Sequence, residues 1–155
     1  MRPPKKITAG YLERVALHYV ERHGGSEGQL RRILAKRIRR SVEAFGEPSP
    51  EIIEEMVDEL IAKLIRLGYV NDERVARTRA RSLRRRGKSA RAIRSTLFRL
   101  GIDAAIIDDA IEGDDLEAAR TYVRRRRLSG GQKDLAKLAR AGFSYDVAKR
   151  VLEEE

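Results

Sequence analysis

The sequence contains no cysteine and no tryptophan, and only two of its 155 residues are histidines. Without cysteine, disulfide frameworks and cysteine-ligated zinc or iron–sulfur sites are excluded. His18 and His23 are five residues apart on a predicted helix. Their side chains therefore point to different sides of that helix instead of forming an i,i+4 pair of metal ligands. We expect neither a metal site nor a bound cofactor.

Long hydrophobic runs are also missing from the sequence. No apolar segment reaches the ~18 residues of a transmembrane helix. The basic stretch over residues 1–6 is followed by no apolar segment typical of a signal peptide. We therefore expect a cytoplasmic protein that makes no contact with a membrane.

Aromatic residues make up only 5% of the chain, so aliphatic side chains must fill the core. Charged residues make up 37%, which is high for a globular protein. Apolar residues recur with the period of a helix along almost the whole chain, whereas strand-like alternation and tight hairpin turns are weak or missing. This pattern predicts an all-α fold of about nine amphipathic helices.

Glycines and N-cap residues predict where the helices begin and end. Ser26 is expected to cap the second helix, which runs through Ile38 and is followed by a looser stretch over residues 44–49. Ser49 is expected to cap a third helix with Pro50 at its first position. Further caps are predicted at Ser89, Asp103, Asp114 or Asp115, and Ser144.

An internal repeat organises these helices. The tripeptide Ala-Arg-Thr at 76–78 recurs at 119–121, and an apolar-glycine block recurs with Leu97, Gly101, Ile102, Ile106 and Ile111 matched by Leu138, Gly142, Phe143, Val147 and Leu152. The repeat predicts three tandem three-helix units, an enlarged first unit over 1–69, a second over 70–113 and a third over 114–155. Each unit has too small a core to be stable alone, so the units should pack into an elongated, curved, right-angled helical array.

Two short motifs resemble nucleotide-binding loops, and the repeat explains both without a nucleotide. Gly87-Lys88-Ser89 lacks the earlier glycine and the preceding strand of a phosphate-binding loop. Residues 128–132 spell the signature loop of ABC-type ATPases, but no partner loop and no sheet-based core accompany them. Both motifs fall at turns between the first and second helices of a unit. Because the carboxylates lie on helix faces among arginines and lysines, and no serine or tyrosine pairs with a histidine, we expect no enzyme.

The formal net charge is +10, and such a surface attracts polyanions. Residues 71–100 carry eleven arginines and lysines against Asp72 and Glu73, a net charge of +9. The charges in the rest of the chain nearly cancel. Uniform arginine enrichment therefore does not explain the charge, which indicates a local basic surface.

Helical geometry places much of this charge on one face. At ~100° per residue, Val75, Ala76, Ala80 and Leu83 share one side of the predicted helix, and arginines cover the other. Like charges on one face cost stability, and a polyanionic partner would offset that cost. The predicted binding residues are those of this region and of smaller basic groups elsewhere: Arg74, Arg77, Arg81, Arg84, Arg85, Lys88, Arg91, Arg94, Arg31, Arg32, Lys36, Arg124 and Arg125.

The competing interpretation is a solvated helix face on which long arginine side chains simply reach the water. If a nucleic acid binds instead, the few aromatic residues do not support stacking on bases. Contacts to phosphates without sequence reading are then the natural expectation.

The segment Gly68-Tyr69-Val70-Asn71-Asp72-Glu73-Arg74-Val75-Ala76-Arg77 resembles the most recognisable segment of the RecX family. Gly87, Ile93, Leu97 and the run Leu100-Gly101-Ile102 follow at family-like spacing, and the ending Gly142-Phe143-Ser144 with Val147, Val151 and Leu152 also fits. The resemblance covers most of the chain and is strongest over residues 64–112. It implies a fold of three tandem three-helix repeats.

The resemblance also implies a function. Members of the family lie in the groove of the RecA–DNA filament, touch neighbouring protomers and interfere with filament growth, ATP turnover, strand exchange and repressor cleavage. It therefore implies a regulator, most often an inhibitor, of RecA in recombination, DNA repair and the SOS response. RecA would be its main partner, with weak, phosphate-mediated DNA binding, and we expect a monomer.

Two other functions remain open from the residues themselves. Because each unit is a three-helix bundle, the chain could be an independent nucleic-acid-binding protein of helix-turn-helix type. It could also be a helical scaffold whose basic face binds an acidic protein and ignores DNA.

Overall fold

The computed structural model describes residues 2–154, and within them the chain is all-helical. Nine helices and no strand are found in this part of the chain. Their bounds are α1 Ala9–His23, α2 Glu27–Phe45, α3 Pro50–Arg66, α4 Asp72–Arg85, α5 Ala90–Arg99, α6 Ala104–Ala110, α7 Asp115–Arg126, α8 Gln132–Arg140 and α9 Tyr145–Glu153. The prediction of an all-α protein is confirmed.

Most of the predicted caps form as expected. Ser26, Ser89, Asp114 and Ser144 each accept a hydrogen bond from the backbone N–H three residues later. These bonds satisfy amides that would otherwise have no partner inside the helix. Ser49 and Asp103 occupy the predicted N-cap positions in extended conformation but make no capping bond with their side chains.

The end of α2 differs from the prediction. The helix continues to Phe45, so the predicted loop over 44–49 begins two residues too early. Neither Ala44 nor Phe45 is a helix-breaking residue such as glycine or proline. Gly46, with φ 69°, is the residue that leaves the helical conformation, and its N–H still bonds to the carbonyl of Val42.

The first compact unit comprises Met1–Val75 and contains α1, α2 and α3. Its core is aliphatic, as the low aromatic content requires. The three helices contribute the fully buried side chains of Leu12, Leu30, Leu34 and Leu64. Val70, just beyond α3, belongs to the same cluster.

The second compact unit comprises Ala76–Glu155 and contains most of α4 together with α5 to α9. The predicted second and third repeats share it. Their correspondence holds in the structure, since Leu97 and Leu138 are both fully buried and Gly101 and Gly142 both adopt positive φ. Ile102 and Phe143, the next pair, are buried as well. The tandem three-helix repeat is therefore present in the backbone and in the core.

A repeated hydrogen bond joins successive repeats. The carboxylate of Asp72, at the start of α4, accepts the N–H of Glu27, at the start of α2, at 2.8 Å. The carboxylate of Asp115, at the start of α7, accepts the N–H of Ala90, at the start of α5, also at 2.8 Å. In both cases a helix N-terminus with unsatisfied amides receives an anionic acceptor from the next repeat.

Candidate polyanion-binding surface

Helix α4 buries one narrow face and exposes a cationic one. Ala76 and Ala80 are at most 1% exposed. Arg77, Arg81 and Arg85 are exposed and fall within an arc of about 80°, whose centre lies about 120° around the helix from the two alanines. The helix therefore presents a row of three guanidinium groups to the solvent.

These three arginines are held by few interactions with the chain itself. Within residues 2–154, the side chains of Arg77 and Arg85 make no hydrogen bond or ion pair. Arg81 makes one loose contact, 3.7 Å from its Nη2 to the carboxylate of Glu112, and both side chains are more than 60% exposed. An exposed pair of this kind contributes little to stability. The charges of the row are thus available to an external partner.

Arg84 has a different environment from the rest of the predicted face. Its side chain is only 14% exposed, and its Nη1 lies 2.6 Å from the carboxylate of Asp115. It also donates to the backbone carbonyls of Lys88, Glu112 and Gly113. Arg84 therefore ties the end of α4 to the segment between α6 and α7, a structural role that the sequence reasoning did not identify.

The remaining predicted residues of this region differ in whether their side chains are bonded to other residues of the chain. Arg74 donates to the carbonyl of Gly68 at 2.9 Å, and Arg94 pairs with Asp108 at 2.9 Å. Lys88, in the turn after α4, and Arg91, in the first turn of α5, are exposed and have no such bond within the described residues. We call Arg77, Arg81, Arg85, Lys88 and Arg91 the basic surface.

The other predicted basic groups lie on α2 and α7. On α2, Arg31 is bonded to Glu27 and Asp58, and the Asp58 hydrogen bond is the main reason that the pKa of Arg31 is raised. Arg32 and Lys36 are exposed on the same helix. Arg124 and Arg125 are exposed in the last turn of α7, where positive charge suits the helix dipole.

The turn Gly87-Lys88-Ser89 is determined by packing. Gly87 has φ 79°, and a Cβ added there would lie 2.8 Å from the backbone nitrogen of Tyr122. Only glycine combines this φ with so close an approach to α7. Ser89 is fully buried, caps α5, and donates its hydroxyl to the carbonyl of Ala141 at 2.7 Å. These contacts account for the Gly and the Ser of the motif.

The loop over 128–132 is closed by a carboxylate of the chain itself. Asp134 accepts the N–H groups of Ser129 and Gly130, at 3.1 and 3.2 Å, and pairs with Lys137 at 2.8 Å. The Lys137 ammonium first, and then these two amides, hold the pKa of Asp134 below its usual value. Two of the amides that a phosphate would need are therefore already occupied.

No other chemistry is evident in the described part of the chain. Residues 2–154 contain no group of three or more His, Asp or Glu side chains placed to hold a metal ion. In the same residues, no helix combines the length and apolarity needed to cross a membrane.

Sequence comparisons identify relatives across nearly the whole chain. Residues 71–111 match the family model described as RecX, second three-helix domain. A Myxococcus xanthus protein named Regulatory protein RecX is 37% identical over 97% of this chain and 88% of its own length. A Stenotrophomonas maltophilia protein of the same name is 35% identical over 64% of this chain and 67% of its own length.

A solved structure shares the fold. The crystal structure of RecX from Lactobacillus salivarius superposes with a TM-score of 0.70, covering 94% of this chain and 95% of that one. The two sequences are 21% identical, so this likeness concerns the fold alone.

Proposed function

Because the chain belongs to the RecX family of regulatory proteins, we propose that it binds the RecA–DNA filament and inhibits the activities of RecA. These activities are ATP turnover, strand exchange and the cleavage of repressors in the SOS response. The chain would act as a monomer in the cytoplasm, by binding and without a catalytic step. Its contact with DNA would be weak and directed at phosphates.

One observation carries the proposal. The segment matched by the family model, residues 71–111, is also the segment that contains the basic surface. Of these five exposed cations only Arg81 makes an ion pair with the chain, a loose one with Glu112, and such a surface favours the binding of a polyanion. The DNA of a filament supplies phosphates, and an acidic face of RecA would supply carboxylates.

The arginines divide into two roles under this proposal. Arg77, Arg81 and Arg85, together with Lys88 and Arg91, contact the filament. Arg84 holds the helix in place and contributes to binding only through stability. The sequence-based expectation that Arg84 contacts the partner directly is therefore the weakest of the set, because four acceptors of the chain already surround its guanidinium.

Sedimentation of the protein with cognate RecA filaments, assembled on single-stranded DNA with a nonhydrolysable ATP analogue, tests the proposal. Replacing Arg77, Arg81 and Arg85 by Ala should remove most of the protein from the pellet. A matched control replaces the exposed Arg14 and Arg22 of α1 and Arg140 of α8, and should sediment like the original protein. Equal sedimentation of all three proteins would contradict the assignment of the surface.

The second candidate is an independent nucleic-acid-binding protein of helix-turn-helix type. The observation that favours it is the combination of three-helix units with an arginine-rich helix. Its test is duplex binding without RecA. Sequence-selective, nanomolar binding at physiological salt would support it, whereas weak and steeply salt-dependent binding supports the filament regulator.

A further inference from the structure

The outer face of α5 carries an aromatic side chain that the fold does not use. Phe98 is 70% exposed, the highest value among the large hydrophobic side chains of the described residues. The core side of the same helix is formed by Ile93 and Leu97, both fully buried. Because most of its ring is exposed to the solvent, Phe98 contributes little to the stability of the unit.

The neighbours of Phe98 on this face are polar and cationic. Arg91, Arg94 and Ser95 precede it by seven, four and three residues, so all four side chains fall within an arc of about 100°. Three of these four positions bear a cation or an aromatic ring. Arg91 belongs to the basic surface, which places Phe98 about two helical turns from one of its members.

We propose that Phe98 stacks on an unpaired base of single-stranded nucleic acid whose phosphates are bound by the basic surface. This inference rests on the proposed function in that it assigns a nucleic acid to the same surface. Single-stranded nucleic acid has a binding partner for each kind of side chain on this side of α5. Its phosphates can bind the guanidinium groups, and its unpaired bases can stack on the ring of Phe98. A duplex offers phosphates, but its base faces are stacked internally.

The surroundings of Phe98 favour a nucleic acid over a protein partner. Apolar anchors in protein interfaces lie in patches from which charged residues are depleted at the centre. Phe98 instead shares its face with Arg91 and with Arg94, which is paired with Asp108, and has Arg99 next to it in the chain. An isolated aromatic ring in a cationic field is the arrangement found where stacking and phosphate contacts alternate.

The affinity of the purified chain for a fluorescent oligothymidine and for a duplex of equal length tests the proposal. Phe98→Ala should weaken binding to the single strand by about 5- to 150-fold, the range reported for the loss of one stacking contact. Binding to the duplex should be unchanged, and so should the slope of log affinity against log salt on both DNAs. Arg91→Ala, as a contrast, should weaken both and lower the slope by about 1.

A spectroscopic test uses the absence of tryptophan from the chain. Phe98→Trp places the only tryptophan of the chain at the proposed stacking position, and its emission, excited selectively, should be quenched when oligothymidine binds. Tyr145→Trp is the matched control, because Tyr145 is also exposed, at 64%, but lies on α9 beside acidic as well as basic residues. Its emission should change little. Circular dichroism checks that all variants remain helical.

Three outcomes would overturn the inference: unchanged affinity of Phe98→Ala for the single strand, an equal loss on single strand and duplex, and equal quenching of the two tryptophans. A loss of RecA inhibition with unchanged DNA affinity would show that Phe98 contacts protein instead. The proposed function fails separately. If the original chain does not bind RecA filaments but Phe98 stacks on DNA, the inference stands and the filament role is rejected.

Discussion

Helices α4 and α7 are the first helices of successive repeats, and each carries an arginine at the same repeat position. The two arginines differ in the ion pairs that they make. Arg77 and Arg120 stand 43 positions apart, each between an alanine and a threonine. Arg120 is bonded to Glu117 and to Glu154, which raise its pKa. Arg77 has Arg74 at the position equivalent to Glu117 and makes no ion pair within the described residues.

The difference shows that neighbouring residues, and not the conserved geometry of the repeat, decide what an arginine does. In the third repeat, Arg120 forms an ion pair with Glu154, and this pair joins α7 to the C-terminal end of α9. In the second repeat the same position is surrounded by like charge and faces outward. Under the proposed function, the second repeat therefore binds the partner and the third repeat has a structural role.

The largest effect is expected at two glycines in the turns after α4 and α7, Gly87 and Gly130. Gly87→Ala should destabilise the second compact unit by about 3–5 kcal/mol, because a strained φ and a backbone overlap with Tyr122 add together. Gly130→Ala meets open space and should cost only about 1–2 kcal/mol for its φ. Chemical denaturation measures both. Similar losses at the two positions would mean that the close approach of Gly87 to α7 is wrong.

The next largest effect separates Arg84, near the end of α4, from Arg127, which follows α7. Arg84→Ala should lower the free energy of unfolding by about 2 kcal/mol, because it leaves several acceptors without their donor. Arg127→Ala should change it by less than about 0.5 kcal/mol, since that side chain is exposed and has no bond in the described part of the chain. A stable Arg84→Ala variant with impaired filament binding would instead make Arg84 a contact residue.

The third test introduces into the second repeat the Glu–Arg ion pair of the third repeat. Arg74→Glu recreates at Arg77 the i,i+3 pair that Glu117 makes with Arg120. Binding to DNA should weaken several-fold at about 0.1 M salt, and the salt slope should fall by about 1–2. Arg74→Ala is the control, since it removes the bond to Gly68 without adding an acid. If the two variants bind equally well, the pairing of Arg77 does not control its availability.

The smallest effect concerns the turns after α4 and α7. The first is closed by the packing of Gly87 and the second by the carboxylate of Asp134. Because the pKa of Asp134 is lowered in the folded state, the carboxylate stabilises the fold above the usual pKa of an aspartate, about 4. That contribution is lost as the pH falls through the lower, folded-state pKa.

Asp134→Asn should therefore melt below the original chain at pH 7, and the gap should narrow progressively as the medium is acidified below about pH 4. Thermal unfolding followed by circular dichroism measures the gap. A difference in melting temperature that stays constant down to pH 2 would show that the charge of Asp134 is not what closes the turn.

Local signals were sufficient to predict the repeat and most helix ends. Caps such as Ser89 and Ser144 act on amides three residues away, and the recurrence of Leu97, Gly101 and Ile102 follows from a shared core. These features depend on short spacings that a single sequence displays. The end of α2 was less certain, because Ala44 and Phe45 tolerate either helix or loop.

The candidate site was only partly predictable, because the availability of an arginine depends on residues distant in sequence. Arg84 and Arg85 are neighbours in the chain, yet one is surrounded by acceptors from the segment after α6 and the other is free. The sequence contains one signal of this difference. Arg84 is four residues after the buried Ala80 and therefore lies near the buried face of α4. Phe98 was overlooked because a low total of aromatics says nothing about where one is exposed.

The central claim, that the exposed arginines of α4 act on RecA, is tested most directly by ATP hydrolysis of the cognate RecA on single-stranded DNA. The protein and its Arg77, Arg81 and Arg85 alanine variant are titrated in parallel. We predict suppression at substoichiometric ratios by the original protein and little suppression by the variant. Unchanged hydrolysis with the original protein, while RecA still covers the DNA, would contradict the proposed function and favour an independent nucleic-acid-binding protein.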